Sequence, residues 1–213
     1  MNVSIDTIIL AAIISSLIGP AIVKILDYIL FKWKKRNADQ QKKLAKDPLE
    51  EAIQNSEVIN AYLHNLITDF GFDRGWVSMF HNGGHYYPTG KSIQKFSTFY
   101  EVCGPGIATI QNQFMNIPVS LFSKSIGEVY KHGKLIASID GDNKYDLESA
   151  MLATGSLTTY LFALKNLEGK FFGIIGFDLI KDVEEISQED LLLLQTQINT
   201  LSGYIFEYLH IKQ

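Results

Sequence analysis

The fold of this chain is decided by residues 156–180, which read SLTTYLFALKNLEGKFFGIIGFDLI. Two runs rich in aromatic and aliphatic residues flank Leu167-Glu168-Gly169, and a three-residue loop that ends in glycine is typical of a tight β-hairpin. The stretch therefore predicts two antiparallel strands joined by a short turn.

A long helix is predicted after this hairpin. Ser187 is followed three residues later by Asp190, a pattern that is typical of a helix N-terminus. From there apolar residues recur at alternating spacings of three and four, which is the pattern of one buried helical stripe. The stripe consists of Leu191, Leu194, Ile198, Leu201, Ile205 and Tyr208.

A second long helix and further short elements are predicted before the hairpin. Asp47-Pro48 suits a helix start, and a similar apolar stripe runs from Leu49 to Phe70 before Gly71. Next come a strand ending at Phe80, a glycine-rich loop and a strand in KFSTFYE. The middle of the chain then reads as irregular and helical to Gly133, followed by a short strand and a small helix at residues 146–153. This order predicts an α+β fold, in which helices cover the faces of an antiparallel sheet.

Two parts of the sequence resemble GAF domains. Residues Gly169 to Ile205 are similar to the closing hairpin and final helix of that family, and Asp73-Arg74-Gly75-Trp76-Val77-Ser78 resembles its first strand. The pattern FHNGG followed by KFSTFYE further resembles small membrane-anchored GAF-like proteins of tailed bacteriophages, whose role is not known. The resemblance implies a GAF-like domain over residues 48–213, with a concave pocket between the sheet and its middle helices.

The same resemblance does not imply a ligand. Members that bind cyclic nucleotides carry an Asn-Lys-Phe-Asp-Glu type constellation that is absent here, and members that bind bilins need a suitably placed cysteine. The single cysteine is Cys103. We therefore predict no cofactor.

The N-terminal residues predict a membrane anchor. Residues 7–23 carry no charge, and apolar residues continue after Lys24 to Phe31. As one helix, residues 5–31 would reach roughly 40 Å at ~1.5 Å per residue, which exceeds the ~30 Å hydrocarbon core of a bilayer. We predict a tail at residues 1–4, a single transmembrane helix at residues 5–31 and a basic linker at residues 32–47. The alternative is an amphipathic helix lying in the membrane interface.

Charge predicts the orientation of this anchor. Residues 32–46 hold seven basic residues against Asp39 alone, so the positive-inside rule keeps the following domain in the cytoplasm. Residues 1–46 carry 8 − 3 = +5 charges and residues 47–213 carry 11 − 20 = −9, which sum to the net charge of −4. An acidic domain does not suit nucleic-acid binding, and a single cysteine suits a reducing compartment. The expected location is a single-pass membrane protein with a cytoplasmic C-terminal domain.

One cluster of residues is the candidate ligand site. Aromatic and polar side chains at the end of the first strand and along the second can wall and orient a small molecule. The predicted ligand-binding residues are His81, Asn82, Phe96, Thr98, Tyr100 and Glu101. His81 is expected to pair with Glu101. The alternative is a pocket filled by the domain's own side chains, with the aromatic residues serving only as core.

Catalytic and metal sites are not predicted. His81 and His85 flank a flexible glycine pair, which does not suit a metal, and nothing near Cys103 suggests an activated thiol. The resulting hypothesis is a sensing or protein-interaction module without catalysis, anchored in the lipid bilayer. It is expected to be a homodimer that packs through the outer flanks of its two long helices, including Val58, Tyr62, Leu193 and Tyr204. The alternative is a phage envelope or lysis-related membrane protein that uses the domain as a scaffold.

Overall fold

The computed structural model describes residues 47–85, 90–141, 145–181 and 186–210, together with helical positions 27, 28, 30 and 32. Two compact units are distinguished, Met1–Glu51 and Ala52–Gln213. The predicted N-terminal tail, most of the predicted transmembrane helix and nearly all of the basic linker lie outside the described residues. Within the described part of the chain, no helix is both long and apolar enough to cross a membrane.

The described residues form α-helices and β-strands in the predicted order. The α-helices are α1 (Pro48–Asp69), α2 (Ser123–His132), α3 (Glu148–Thr154) and α4 (Gln188–His210). The strands are β1 (Arg74–His85), β2 (Ser92–Cys103), β3 (Ile117–Pro118), β4 (Lys134–Ser138), β5 (Thr158–Lys165) and β6 (Phe171–Leu179). Two short 3₁₀ helices, Gln111–Phe114 and Val119–Phe122, precede α2.

These strands make one antiparallel sheet in the order β3-β2-β1-β6-β5-β4. The predicted hairpin is β5-β6, and it lies beside β1 through the pairing of β1 with β6. Gly169 takes a φ of 78° in its turn, a conformation that glycine adopts without steric cost. The prediction of an α+β fold with an antiparallel sheet is confirmed.

The predicted helix ends are also confirmed. The Ser187 hydroxyl accepts a hydrogen bond from the backbone N–H of Asp190 at 3.1 Å and donates one to the Asp190 carboxylate at 2.7 Å. Gly133 ends α2 with a φ of 79°, and its N–H donates to the Val129 carbonyl. Because both signals are local, they could be read without knowing the tertiary structure.

The glycine-rich loop prediction is wrong at its start, because β1 continues through His81-Asn82-Gly83-Gly84-His85. This part of β1 pairs with β2, with Asn82 opposite Gln94 and His85 opposite Ser92. A Cβ on Gly83 would lie within 2.6 Å of the aliphatic carbons of the Lys95 side chain. Glycine is therefore used here to let a neighbouring side chain cross the strand, and it does not mark the end of the strand.

The sheet separates two hydrophobic layers. On one face, which we call the helix face, α1 and α4 cover side chains of β1, β5 and β6 such as Val77, Phe162 and Phe177. The opposite face is covered by short helices and turns from the described residues between 104 and 157. We call this part of the chain the middle segment, and it also contributes the edge strands β3 and β4. The apolar layer between the sheet and this segment includes Phe96, Ile126, Val129, Leu161 and Ile174.

Candidate functional site

A cavity of about 60 Å³ lies between the sheet and the middle segment. The sheet forms the floor of the cavity. The two 3₁₀ helices, α2, α3 and the residues next to them form its walls. Floor residues include Trp76, Ser78, Phe96, Thr159, Leu161, Ile174 and Asp178, and wall residues include Ile110, Phe114, Phe122, Ser125, Ile126, Leu147, Ala150, Met151 and Thr154. Pockets for drug-sized ligands usually measure ~300–1,000 Å³. This cavity therefore holds only a few atoms unless its walls move.

A buried ion pair includes one residue of the cavity floor, Asp178. The Arg74 Nε donates to the Asp178 carboxylate at 2.8 Å, and both side chains are almost fully buried. The same carboxylate accepts hydrogen bonds from the Trp76 indole at 3.2 Å and from the Thr159 hydroxyl at 2.7 Å. Burial of charge is costly unless it is paired and hydrogen-bonded. The donors around Asp178 meet that requirement.

Arg74 also joins the sheet to both ends of the middle segment. One terminal guanidinium nitrogen donates to the Ala108 carbonyl at 3.1 Å, and the other donates to the Ser156 hydroxyl at 2.9 Å. Ala108 lies near the start of the middle segment and Ser156 near its end. The rigid, planar guanidinium suits this multiple role because its donors diverge in fixed directions.

Glycine in β6 makes room for the Trp76 ring. Gly176 is the register partner of Trp76, and a Cβ there would lie 2.2 Å from the indole. The ring can therefore cross Gly176 and reach Asp178. A larger residue at Gly176 would push the indole away from the carboxylate.

Two carboxylates hold the elements that cover the cavity: Glu101 binds the cover to the sheet, and Asp146 links two helices within the cover. Glu101 on β2 accepts the backbone N–H groups of Ile110 at 2.7 Å and Gln111 at 2.8 Å, which begin the first 3₁₀ helix. Asp146, just before α3, accepts the backbone N–H groups of Lys124 and Ser125 at the start of α2, and also the Ser125 hydroxyl. Each carboxylate satisfies N–H groups that a helix end leaves without an intrahelical partner.

The pKa of Asp146 reflects this role. Burial alone would raise it, but the hydrogen bonds from the Ser125 side chain and from the backbone N–H groups together lower the pKa below its usual value. The charged form is thus the one that holds α2 in place.

The structure divides the six predicted site residues between the two faces of the sheet. Phe96 lines the cavity, Thr98 lines an adjoining recess beside Trp76, and Glu101 holds the cover. Tyr100 instead packs on the helix-face core. The reason is an irregularity in the β1-β2 register, where Val77 faces Tyr100 and Ser78 faces Thr98. The extra residue, Phe99, reverses the side-chain alternation of β2.

The remaining two residues, His81 and Asn82, lie near the far end of β1. His81 forms a 2.9 Å hydrogen bond with the Ser97 hydroxyl and pairs in register with Lys95. Asn82 is exposed and accepts hydrogen bonds from Ser92 and Gln94. The predicted pair of His81 and Glu101 is wrong, because β2 places Glu101 opposite Trp76, several residues along the strand.

Cys103 lies beside Glu101 and the Ala108 carbonyl, with sulfur–oxygen distances of 3.7 and 3.8 Å. Burial and the neighbouring Glu101 carboxylate raise the pKa of the thiol to about 11. Since the thiolate is the nucleophilic form, this environment disfavours reaction at Cys103.

The sequence interpretation missed Trp76, Thr159 and Asp178 at the floor of the cavity, and the buried Arg74 that pairs with Asp178. One signal was available, because Asp178 interrupts the apolar run FFGIIGFDLI and a buried acid requires a partner. The partner could not be chosen from sequence, since Arg74 lies 104 residues earlier.

No protein-family model matches the sequence, and no curated protein matches it. Several solved structures share its fold. A far-red cyanobacteriochrome photoreceptor is 12% identical with a TM-score of 0.58, covering 85% of this chain and 100% of its own. A GAF domain/HD domain protein from Geobacter sulfurreducens is 10% identical with a TM-score of 0.56, covering 75% and 97% respectively.

A third similar structure is the phycocyanobilin-bound GAF domain from a cyanobacterial phytochrome. It is 13% identical with a TM-score of 0.56, covering 84% of this chain and 95% of its own. At such identities the likeness extends to the fold alone. The described domain therefore has a GAF-like fold.

Proposed function

We propose that this chain is a non-catalytic sensing or protein-interaction module, anchored in a membrane with its GAF-like domain facing the cytoplasm. The observation that carries the proposal is the cavity between the sheet and the middle segment, at whose floor lies Asp178, the buried partner of Arg74. Sensing modules need a site whose occupancy changes the position of a movable element. The part of the middle segment between its strands is the candidate element: Glu101 and Arg74 bond its first residues to the sheet, and Asp146 links the start of α2 to the residues before α3.

A path from the cavity to the long helices supports this proposal. A ligand of more than a few atoms must displace the middle segment, and that displacement strains the contacts of Arg74 with Ala108 and Ser156. The residue before Arg74 is Asp73, whose carboxylate accepts the backbone N–H groups of Ile180 at 2.8 Å and Lys181 at 3.0 Å. These residues follow β6 and lead toward α4. Movement at the cavity therefore has a short route to the helix face.

The absence of catalysis is proposed on the placement of the candidate groups. His81 is bonded to Ser97, Glu101 is occupied by two backbone N–H groups, and Cys103 has a raised pKa. An acid, a base and a nucleophile that act together must meet at one reacting atom. Glu101 and Cys103 are neighbours, but His81 lies several residues along the sheet from both, so the three do not meet at one atom.

Ligand occupancy is tested by native mass spectrometry of the full chain, purified from its host and held in nanodiscs. We expect a retained small molecule on the wild-type protein and its loss from Ala150→Trp, which fills the cavity. Ala61→Trp, on an exposed position of α1, is the matched control. Equal spectra for all three proteins would overturn the ligand-sensing part of the proposal.

The membrane anchor rests on the uncharged run at residues 7–23 and on the basic residues that follow. We expect the full chain to remain in the membrane fraction after carbonate extraction, because an apolar span of this length is stable in hydrocarbon. Protease added outside intact cells should spare the domain. Release by carbonate would refute the anchor, and digestion of the domain would refute the orientation.

Dimerisation through the long helices is the form of interaction that we propose. The residues expected on the outer flanks are all exposed: Val58, Tyr62, Leu193 and Tyr204. Tyr62 of α1 stacks on Tyr204 of α4 at 5.6 Å, so exposed rings of the two helices meet on one surface. Membrane confinement would raise the effective concentration of two copies.

Light scattering of the full chain in detergent tests this assembly. We expect a dimer that Leu193→Glu with Tyr204→Glu converts to a monomer with an unchanged circular dichroism spectrum. Glu189→Gln with Glu207→Gln is a control at exposed positions of the same helix. A wild-type monomer at micromolar concentration would reject the dimer.

The small size of the cavity favours a second candidate. A pocket of about 60 Å³ that its own side chains nearly fill suits a scaffold domain, as in a phage envelope or lysis-related membrane protein. In that case Ala150→Trp should leave both the bound mass and the biological activity unchanged. The mass-spectrometric comparison above therefore separates the two candidates.

A further inference from the structure

The β5-β6 turn carries an apolar side chain that the fold does not explain. Leu167 is fully exposed at the tip, between the exposed Lys165 and Lys170. The turn is held firmly, because the Asn166 side chain accepts the backbone N–H groups of Glu168 at 3.1 Å and Lys170 at 2.8 Å. Leu167 is thus presented to the surroundings by an ordered turn.

Lysines from other elements lie at the same end of the sheet as this turn, which we call the hairpin end. Lys131 lies in the last turn of α2, which ends beside β5 through a hydrogen bond from the Ala163 N–H to the Gly133 carbonyl. Lys134 begins β4 opposite Phe162, and Lys95 lies opposite His81 on β2. Lys91 precedes β2 at the same end.

Aromatic side chains pack next to the turn on both faces of the sheet. Phe171, next to the turn, contacts Phe80 at 4.9 Å and the exposed Tyr130 at 5.7 Å. On the other side of the sheet, Phe172 contacts Phe206 of α4 at 5.5 Å. The hairpin end therefore combines an apolar tip, partly exposed rings and surrounding cations.

Charge differs between the hairpin end and the rest of the described domain from residue 52 onward. Among the described residues from 52 to 210 there are nine Lys or Arg and thirteen Asp or Glu. The hairpin end holds six lysines against Glu128, Glu168 and Glu207, which is 6 − 3 = +3. The other described positions hold 9 − 6 = 3 basic against 13 − 3 = 10 acidic residues, which is −7. Of those three basic residues, Arg74 is paired with Asp178 and Lys181 with Asp73.

We propose that the hairpin end docks on the surface of an anionic phospholipid bilayer, with Leu167 entering the headgroup region. An exposed turn with one projecting leucine among lysines suits an anionic lipid surface, which takes up an apolar side chain without a shaped groove. Each lysine near an anionic leaflet strengthens binding roughly fivefold, and the effect falls off within a Debye length. The inference rests on the proposed membrane anchor, which would hold the domain close enough to its own bilayer for these contacts.

The test uses the full chain with one fluorescent probe beside the tip. In a Cys103→Ser background, Glu168→Cys carries an environment-sensitive dye, and the protein is reconstituted into phosphatidylcholine vesicles with or without phosphatidylserine. We expect blue-shifted emission only with phosphatidylserine, reversed by high salt. The same dye at Leu152→Cys, on α3 away from the hairpin end, should not respond.

Charge variants make the test specific. Lys165→Gln with Lys170→Gln should reduce the shift by at least half, whereas Lys124→Gln with Lys181→Gln removes the same charge elsewhere and should leave it intact. Thermal melting of each variant identifies any loss of folding. Emission that is the same in both kinds of vesicle overturns the inference and leaves the anchor standing.

Failure of the anchor is recognised separately. If the chain does not incorporate into vesicles, the labelled protein is added to preformed phosphatidylserine vesicles. A blue shift of the emission in that mixture still supports docking. The absence of a shift overturns the docking proposal. Polyglutamate serves as an acidic polymer without lipid. A shift with polyglutamate but not with phosphatidylserine vesicles would assign the hairpin end to an acidic protein and refute the lipid proposal.

Discussion

The two faces of the sheet are built differently. The helix face is closed by two long helices whose buried residues, such as Leu63, Leu194 and Leu201, have no exposed surface. The opposite face is covered by short helices and turns, and it contains both the cavity and the buried pair of Arg74 and Asp178. The comparison indicates that the helix face supplies most of the apolar packing. The cavity face keeps buried polar contacts and an unfilled volume, which a purely apolar, close-packed layer would not have.

The largest effect is expected from breaking the ion pair on the cavity face. Arg74→Met leaves the Asp178 carboxylate buried without its cation, and loss of one partner of a buried pair usually costs about 3–5 kcal/mol. Urea unfolding measures this loss. Adding Asp178→Leu should recover part of the stability, because no unpaired charge remains. If the double variant loses the sum of the two single losses, the pair is not coupled as the geometry indicates.

The next prediction compares the cost in stability of the same substitution on the two faces of β5. Leu164→Ala opens the tightly packed helix face and should cost about 4 kcal/mol, whereas Leu161→Ala enlarges an existing cavity and should cost about 2–3 kcal/mol. Both leucines lie in β5 and are nearly fully buried, so they are matched in chemistry and strand position. Xenon binding, followed by NMR, should increase only for Leu161→Ala. Equal losses for the two variants would show that the faces pack equally well.

A smaller and pH-dependent effect is expected at Asp146. Because hydrogen bonds lower the pKa of this carboxyl in the folded protein, its stabilising effect is present above the unfolded pKa, near 3.8, and is lost as pH falls through the folded pKa. At neutral pH, Asp146→Asn should cost about 1 kcal/mol, as for other helix-capping residues. The difference from wild type should vanish in strong acid. Asp140→Asn, at an exposed position, is the control, and a difference that does not change with pH would contradict the capping role.

The smallest effect is expected from filling the cavity. Ala150→Leu adds apolar atoms at the cavity wall and should stabilise the domain by up to ~1 kcal/mol if the middle segment does not move. Ala61→Leu makes the same change on an exposed face of α1 and isolates the contribution of helix propensity. Thermal unfolding of both variants measures the difference. Destabilisation by Ala150→Leu alone would indicate that the cavity walls are rigid and already well packed.

The sequence predicted elements better than it predicted the site. The hairpin, the start of α4 at Ser187 and the end of α2 at Gly133 are specified by neighbouring residues, and each was confirmed. In the structure, Phe96 lines the cavity and Thr98 lines the recess next to it. Glu101 binds the cover of the cavity, whereas Tyr100 lies on the helix face. Regular alternation puts residues 96, 98 and 100 on one face, and a single bulge at Phe99 moved the last of them to the other.

What the sequence alone determined is therefore the local structure: apolar periodicity, turn glycines and helix caps act over a few residues and can be read directly. The sequence also carries the uncharged run at residues 7–23 on which the proposed anchor depends. The tertiary structure alone decided which distant residues meet, such as Arg74 with Asp178 and Ser125 with Asp146. Those contacts depend on the register of the strands, on the bulge in β2 and on how the middle segment folds over the sheet. Each of these is set by the packing of the whole domain.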